Sequence, residues 1–184
     1  AIVSHGDQDH ISGLSYLLES DSGIQIQNLI LPIRGKEDPI YEKLGQQARN
    51  AGAKVFWMKQ GDQIRVDGLS LRCLYDGAGT DETERNNHSL LIQASYGDFG
   101  MLLTGDMSAD GELQWLEQKD TLEKPVQILK IAHHGSGYSS TEPFLKEISP
   151  RLAVISCGEG NRYGHPHVET LERLEKDGIP WVCT

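Results

Sequence analysis

Little in this sequence of 184 residues is cysteine, little of it is basic, and nowhere is it apolar for long. The three cysteines, Cys73, Cys157 and Cys183, are widely spaced and form no C-x-x-C pair. That odd count reads as buried thiols more readily than as a disulfide framework, and leaves the redox compartment open. Lys and Arg number 17 against 27 Asp and Glu, a net charge of −10. The chain therefore lacks the broad cationic face with which nonspecific nucleic-acid binders neutralise phosphates. No apolar run approaches the roughly 20 residues of a membrane-spanning helix, and no basic leader precedes an apolar stretch as in an export signal. What remains is ordinary for a soluble globular fold, with 38% hydrophobic and 24% charged residues. The length suits one domain, residues 1–184, better than two.

Apolar blocks predict interleaved strands and helices. Residues 1–3 read as a strand and 10–19 as a helix with Ile11, Leu14, Leu17 and Leu18 on one face. Strands over 26–31 and 54–57 flank a helix over 39–50, which has Pro39 in its first turn and Gly52 at its close. Two hairpins follow, 63–66 with 69–75 around Asp67-Gly68, and 88–94 with 99–104 around Gly97-Asp98. A polar loop over 76–85 separates them. Helices over 109–118, 141–148 and 168–177 then alternate with strands over 126–132, 152–156 and 179–183. This mixture of alternation and hairpins predicts an α/β fold of two mixed sheets flanked by helices.

The chemistry is concentrated in Ser4-His5-Gly6-Asp7-Gln8-Asp9-His10, between the first strand and the first helix. In an extended loop alternate side chains project the same way, so His5, Asp7 and Asp9 converge while His10 turns in from the helix start. A helix cap would explain Asp9 alone and neither histidine. Such a set suits a pair of divalent ions. Further candidates stand at strand ends: Asp106 after the strand over 99–104, and His133 and His134 after the strand over 126–132.

The first stretch resembles the H-x-H-x-D-H motif of the metallo-β-lactamase superfamily, with Asp7 at the second His. That form is usual in the hydrolase domain of ComEC-type DNA-internalisation proteins. The likeness continues through Asn86-Asn87-His88-Ser89-Leu90, Leu102-Leu103-Thr104-Gly105-Asp106, Lys130-Ile131-Ala132-His133-His134-Gly135-Ser136 and Asn161-Arg162-Tyr163-Gly164-His165-Pro166. It implies the αββα sandwich, with ligand loops along one edge, here without the strands that normally precede the first motif. The sequence is accordingly expected to be a piece of a longer protein whose remainder includes a membrane channel. The resemblance implies one ion near His5 and Asp7, a second held by Asp9, His10 and His133, and Asp106 bridging both. It also implies DNA as substrate and an extracytoplasmic location on a bacterial membrane. Without that kinship, a secreted or cytoplasmic enzyme is expected.

Two ions sharing a carboxylate activate water and stabilise the attacking and leaving oxygens of a displacement. Three carboxylates among six ligands tolerate zinc and favour manganese. Asp9 is the candidate to orient the water while serving as ligand, and His165, in its Gly-His-Pro turn, is a second catalytic candidate. Ser136 lacks a nucleophile-elbow context and reads as a phosphate contact. Asn86 is the substrate-binding candidate of its motif, with His88 in reserve. His134 either supports the ligands from behind or touches substrate. His167 reads as a surface residue, and Lys130 and Arg162 are cations beside the site motifs. A free-standing hydrolase of another phosphate or carboxylic ester, and an interaction module without activity, are the alternatives.

Overall fold

The computed structural model describes residues 1–81, 83–118 and 121–184; residue 82 of the expected polar loop lies outside them. In chain order the described elements are α1 (Gln8–Glu19), β1 (Asn28–Pro32), α2 (Pro39–Asn50), β2 (Lys54–Met58), β3 (Gln63–Val66) and β4 (Leu69–Tyr75). There follow β5 (Leu91–Tyr96), β6 (Phe99–Leu103), α3 (Ala109–Gln118), β7 (Ile128–Lys130), α4 (Glu142–Ile148), β8 (Leu152–Ile155), α5 (Val168–Lys176) and β9 (Trp181–Cys183). Strands β1 and β2 form a small parallel sheet, and β3 to β9 form a seven-stranded sheet in sequential order. The larger sheet is antiparallel from β3 to β6 and parallel from β6 to β9.

Strand periodicity builds the layers. On β1, Leu29 and Leu31 face α1 and α2, packing on Ile11, Tyr41, Leu44 and Ala48. Ile30 between them faces the other sheet, with Met58, Cys73, Leu90 and Ile92. On the far side Leu91, Leu102 and Leu129 meet Trp115 of α3, Phe144 and Leu145 of α4, and Leu174 of α5. The order is therefore helix, sheet, sheet, helix, the expected αββα sandwich.

Boundaries were legible where local chemistry sets them. The Asp38 carboxylate accepts the Ile40 amide at 3.0 Å and Pro39 opens α2, which ends at Asn50 as expected. Asp67 and Gly68 both take positive φ, 48° and 85°, as the tight hairpin requires. Four expectations shift. Residues 1–3 contribute one parallel bridge, Ile2 to Ile30, instead of a strand. Helix α1 starts at Gln8, so Asp9 joins His10 in its first turn instead of lying in an extended loop. His88 lies in a short 3-10 turn (Arg85–His88) before β5, and β7 stops at Lys130, ahead of a second such turn (Ala132–Gly135).

Parallel strands β6, β7 and β8 lie side by side, Leu102 opposite Leu129 and Leu129 opposite Ala153. Their carboxyl ends consequently release the chain at one edge, delivering Asp106, His133 with His134, and Ser156. The first motif reaches the same edge because the Ser4 carbonyl accepts the Leu90 amide at 3.1 Å, at the entrance to β5.

Candidate metal centre

Asp106 is the hub. Only 3% exposed, it has His10 Nε2 3.2 Å from Oδ1, and His134, His5 and His133 Nε2 at 3.4, 3.8 and 3.9 Å from Oδ2. Two groupings share this carboxylate. In one, Asp9, His10, Asp106 and His134 offer ligand atoms that all lie within 4.8 Å of one another. Here His134 Nε2 is 3.1 Å from Asp9 Oδ2 and 3.2 Å from His10 Nε2. In the other, the fully buried His5 has its Nε2 3.9 Å from Asp7 Oδ2.

The residues fit divalent ions. Among the described residues, His5 Nε2 and Asp106 Oδ1 are buried without a hydrogen-bond partner, which is costly unless something else engages them. Separations of 3.8–3.9 Å are too long for hydrogen bonds. They suit atoms that share a cation about 2.0–2.2 Å from each. Two imidazole nitrogens facing each other with carboxylates on both sides likewise point to a positive charge between them.

The electrostatics agree. Burial alone would raise the Asp106 carboxyl, but the His10 and His134 imidazoles against it hold it well below the usual carboxylate range. His134 is pushed up to about 9, chiefly by its contact with Asp106 against the pull of burial. A site that draws a proton so strongly draws a metal cation for the same reason. His5 is pushed down to about 4 by burial and by the neighbouring His10, which keeps its ring neutral as a ligand should be.

The support around these atoms is local and specific. The Ser4 hydroxyl lies 3.2 Å from His5 Nδ1 and 3.4 Å from His10 Nδ1, so both rings are held from behind with Nε2 turned to the site. His134 Nδ1 lies 2.7 Å from the Ser156 carbonyl. The Asp106 amide donates to the buried Ser89 hydroxyl at 3.0 Å, which gives the Asn-x-x-Ser-Leu stretch its tie to the site. Lys130 donates to the Gly105 and Ile131 carbonyls at 3.0 and 3.1 Å, beneath Asp106. Gly6 allows close approach: a Cβ there would come 3.0 Å from the side chains of Ile40 and Tyr41 of α2, which would have to give way.

Several sequence expectations are redistributed. His134, which was not expected as a ligand, groups with Asp9, His10 and Asp106, while His133 Nε2 lies 3.9 Å from Asp106 Oδ2. The cause is a left-handed turn, with φ of 47° at His133, 55° at His134 and 84° at Gly135, which swings consecutive side chains apart. Ser136 is 3% exposed and its hydroxyl accepts the Tyr138 amide, so it serves its own loop and not a phosphate. Lys130 is turned to backbone carbonyls and not to substrate. Cys157 and Cys183 are not buried; their Sγ atoms lie 3.3 Å apart at the cleft rim. Ser4 and Ser89 stand within the sequence motifs, but no role at the site was expected of either.

The centre opens into a cleft of about 650 Å³ lined by Asp7, Asp9, His133, His134, His165 and Tyr163 among others. His165 stacks on His134 at 6.1 Å and meets His133 edge-on at 5.6 Å. Asn161 brackets it, accepting its amide at 3.0 Å and donating to its carbonyl at 2.6 Å. Asn86 lies elsewhere, in a neighbouring cleft whose lining shares only Asp7 with this one.

A sandwich with paired carboxylates and imidazoles at one edge defines a metal-dependent hydrolase of the metallo-β-lactamase type. Residues 1–159 match the model of the metallo-β-lactamase superfamily, and the chain belongs to that superfamily. It is 33% identical over 178 residues to ComE operon protein 3 of Bacillus subtilis, covering 97% of this chain and 22% of that protein. It is 36% identical over 183 residues to competence protein ComA of Neisseria gonorrhoeae, covering 100% of this chain and 23% of that one. These are ComEC-type competence proteins, and the chain spans about a fifth of their length. The fold is that of the metallo-β-lactamase fold protein YhfI from Bacillus subtilis, with a TM-score of 0.64 at 12% identity over 100% of this chain and 73% of the other.

Proposed function

We propose that this chain is a phosphodiesterase acting on DNA during uptake, with two divalent ions, manganese or zinc, held about Asp106. The observation that carries the two-ion reading is the convergence of His5, His10, His133 and His134 on the two oxygens of one buried carboxylate. His5, Asp7 and His133 would hold one ion, Asp9, His10 and His134 the other, and Asp106 both. Such a pair supplies activated water and neutralises charge on the phosphodiester. The protein's own groups do the rest. Asp9, with 63% of its side chain exposed to the cleft, orients the attacking water and accepts its proton. His165, against His133 and His134 at the cleft wall, carries a ring nitrogen that can hand a proton to the departing oxygen. The DNA substrate, and delivery of the strand by a membrane channel in the longer protein, are supported by the kinship to competence proteins.

The test is cleavage of mixed-sequence single- and double-stranded DNA with manganese, wild type against Asp106→Ala. Cleavage by the wild type and its loss in the variant are expected. A metal-loaded chain that leaves both DNAs intact yet hydrolyses a simple phosphate or carboxylic ester overturns the DNase reading in favour of a general ester hydrolase.

A further inference from the structure

A second cleft brings four basic side chains together with five acidic ones, Asp7, Glu37, Asp38, Asp76 and Glu84. About 870 Å³ in volume, it adjoins the metal-centre cleft at Asp7 and is lined by Arg34, Lys36, Lys59 and Arg85, four of the chain's 17 basic residues. They arrive from separate segments: Arg34 and Lys36 follow β1, Lys59 follows β2, and Arg85 opens the turn before β5. Of the acidic residues, the two inner ones are committed. Asp38 caps α2 through the Ile40 amide and takes Arg85 Nε at 2.7 Å. Asp76, buried, accepts the Gln60 and Ala78 amides, each at 3.2 Å, with Arg34 Nε 3.5 Å away. Glu37 and Glu84 stay exposed on the lining. Lys36 and Lys59 are exposed as well, and no ion pair among the described residues engages either.

We propose that this second cleft holds the phosphates that flank the scissile diester, so that the preferred substrate is a nucleic-acid strand and not an isolated ester. The inference rests on the phosphodiesterase reading and adds to it a site and its residues. Its physical basis is that a polymer presents a charge at every nucleotide, so a strand bound at Asp7 has further phosphates within reach of neighbouring cations. An isolated ester has none to offer. Because Glu37 and Glu84 oppose the lysines, binding is weak and falls steeply with salt.

The experiment compares kcat/KM on a mixed-sequence oligonucleotide with that on a small chromogenic phosphodiester, using the metal-loaded chain and its Lys36→Ala/Lys59→Ala variant. The ratio of the two values is read, because damage to the fold or the metal centre lowers both together and cancels. The ratio is expected to fall about tenfold, through KM for the oligonucleotide, and the salt dependence of that KM to weaken by about one phosphate contact per lysine. Lys36→Arg/Lys59→Arg should restore it. A ratio within about twofold of wild type, with both diesters hydrolysed, overturns this inference and leaves the phosphodiesterase reading standing. A wild-type chain that binds metal and hydrolyses neither diester removes both.

Discussion

Replacing Gly135 by Ala should be costly out of proportion to the one carbon added. Gly135 has φ of 84° and follows two left-handed histidines. A Cβ there would come 2.7 Å from Pro166 Cβ, 3.1 Å from Pro166 Cα and 3.2 Å from Ile155 Cγ2. A proline ring and a fully buried isoleucine have little room to yield. The left-handed conformation costs a non-glycine residue about 1–2 kcal/mol, and overpacking adds about 1–3 kcal/mol, for a total of about 2–5 kcal/mol. Gly97 is the internal control: its φ is 56°, yet nothing lies within 4 Å of an added Cβ. Gly97→Ala should therefore carry the conformational cost alone, about 1–2 kcal/mol. Urea unfolding of both variants gives the difference directly. Metal titration should separate them further, since a displaced 133–135 turn moves His133 and His134 and weakens ion binding about tenfold or more. If Gly135→Ala is no more destabilising than Gly97→Ala and binds metal as wild type does, the packing of this turn against Pro166 does not organise the centre.

His134→Ala should lower manganese affinity at least about tenfold in calorimetric titration, whereas Ser136→Ala, whose hydroxyl faces its own loop, should not; equal effects would contradict the placement of these residues. Saturating metal at about 100 times its Kd should raise the unfolding free energy by about 2.7 kcal/mol over the chelated chain, and an unchanged urea midpoint would contradict a specific site. In reconstitution after chelation, manganese should support activity at least as well as zinc, because three of the seven proposed ligands are carboxylates; recovery with zinc alone refutes that argument. Glu112, buried on α3, accepts the Ser140 and Thr141 amides and the Thr141 hydroxyl. Burial raises its carboxyl above the ordinary value despite those hydrogen bonds. Stability tied to its protonated form is thus complete below the unfolded value of about 4.3 and is lost as pH rises through the folded one. The stability gap between wild type and the non-titrating Glu112→Gln should accordingly be widest in acid and narrow toward neutrality; a gap independent of pH contradicts the direction.

The first motif and the strand-end residues were legible because each is a dense, contiguous signal next to a periodic element. Helices α2 and α3 and strands β3 and β4 fell where local rules put them, through the Asp38 cap, Pro39 and the Asp67-Gly68 turn. What sequence could not separate was His133 from His134. Adjacent residues of one type differ in role only through the backbone twist between them, and that twist is fixed by Gly135 packing on Pro166, 31 residues later. Cys157 and Cys183, remote in sequence, meet because β8 and β9 pair in parallel with Ile155 opposite Cys183. The second cleft was invisible for the same reason: its basic residues come from three connections that are remote in sequence.

The central claim is that Asp106 organises a two-ion centre, and crystals of the chain grown with manganese test it most directly through their anomalous difference density. The account predicts two peaks about 3.5–4 Å apart, one beside His5, Asp7 and His133, the other beside Asp9, His10 and His134, with the Asp106 carboxylate between them. A single peak, or density that does not touch Asp106, would contradict it.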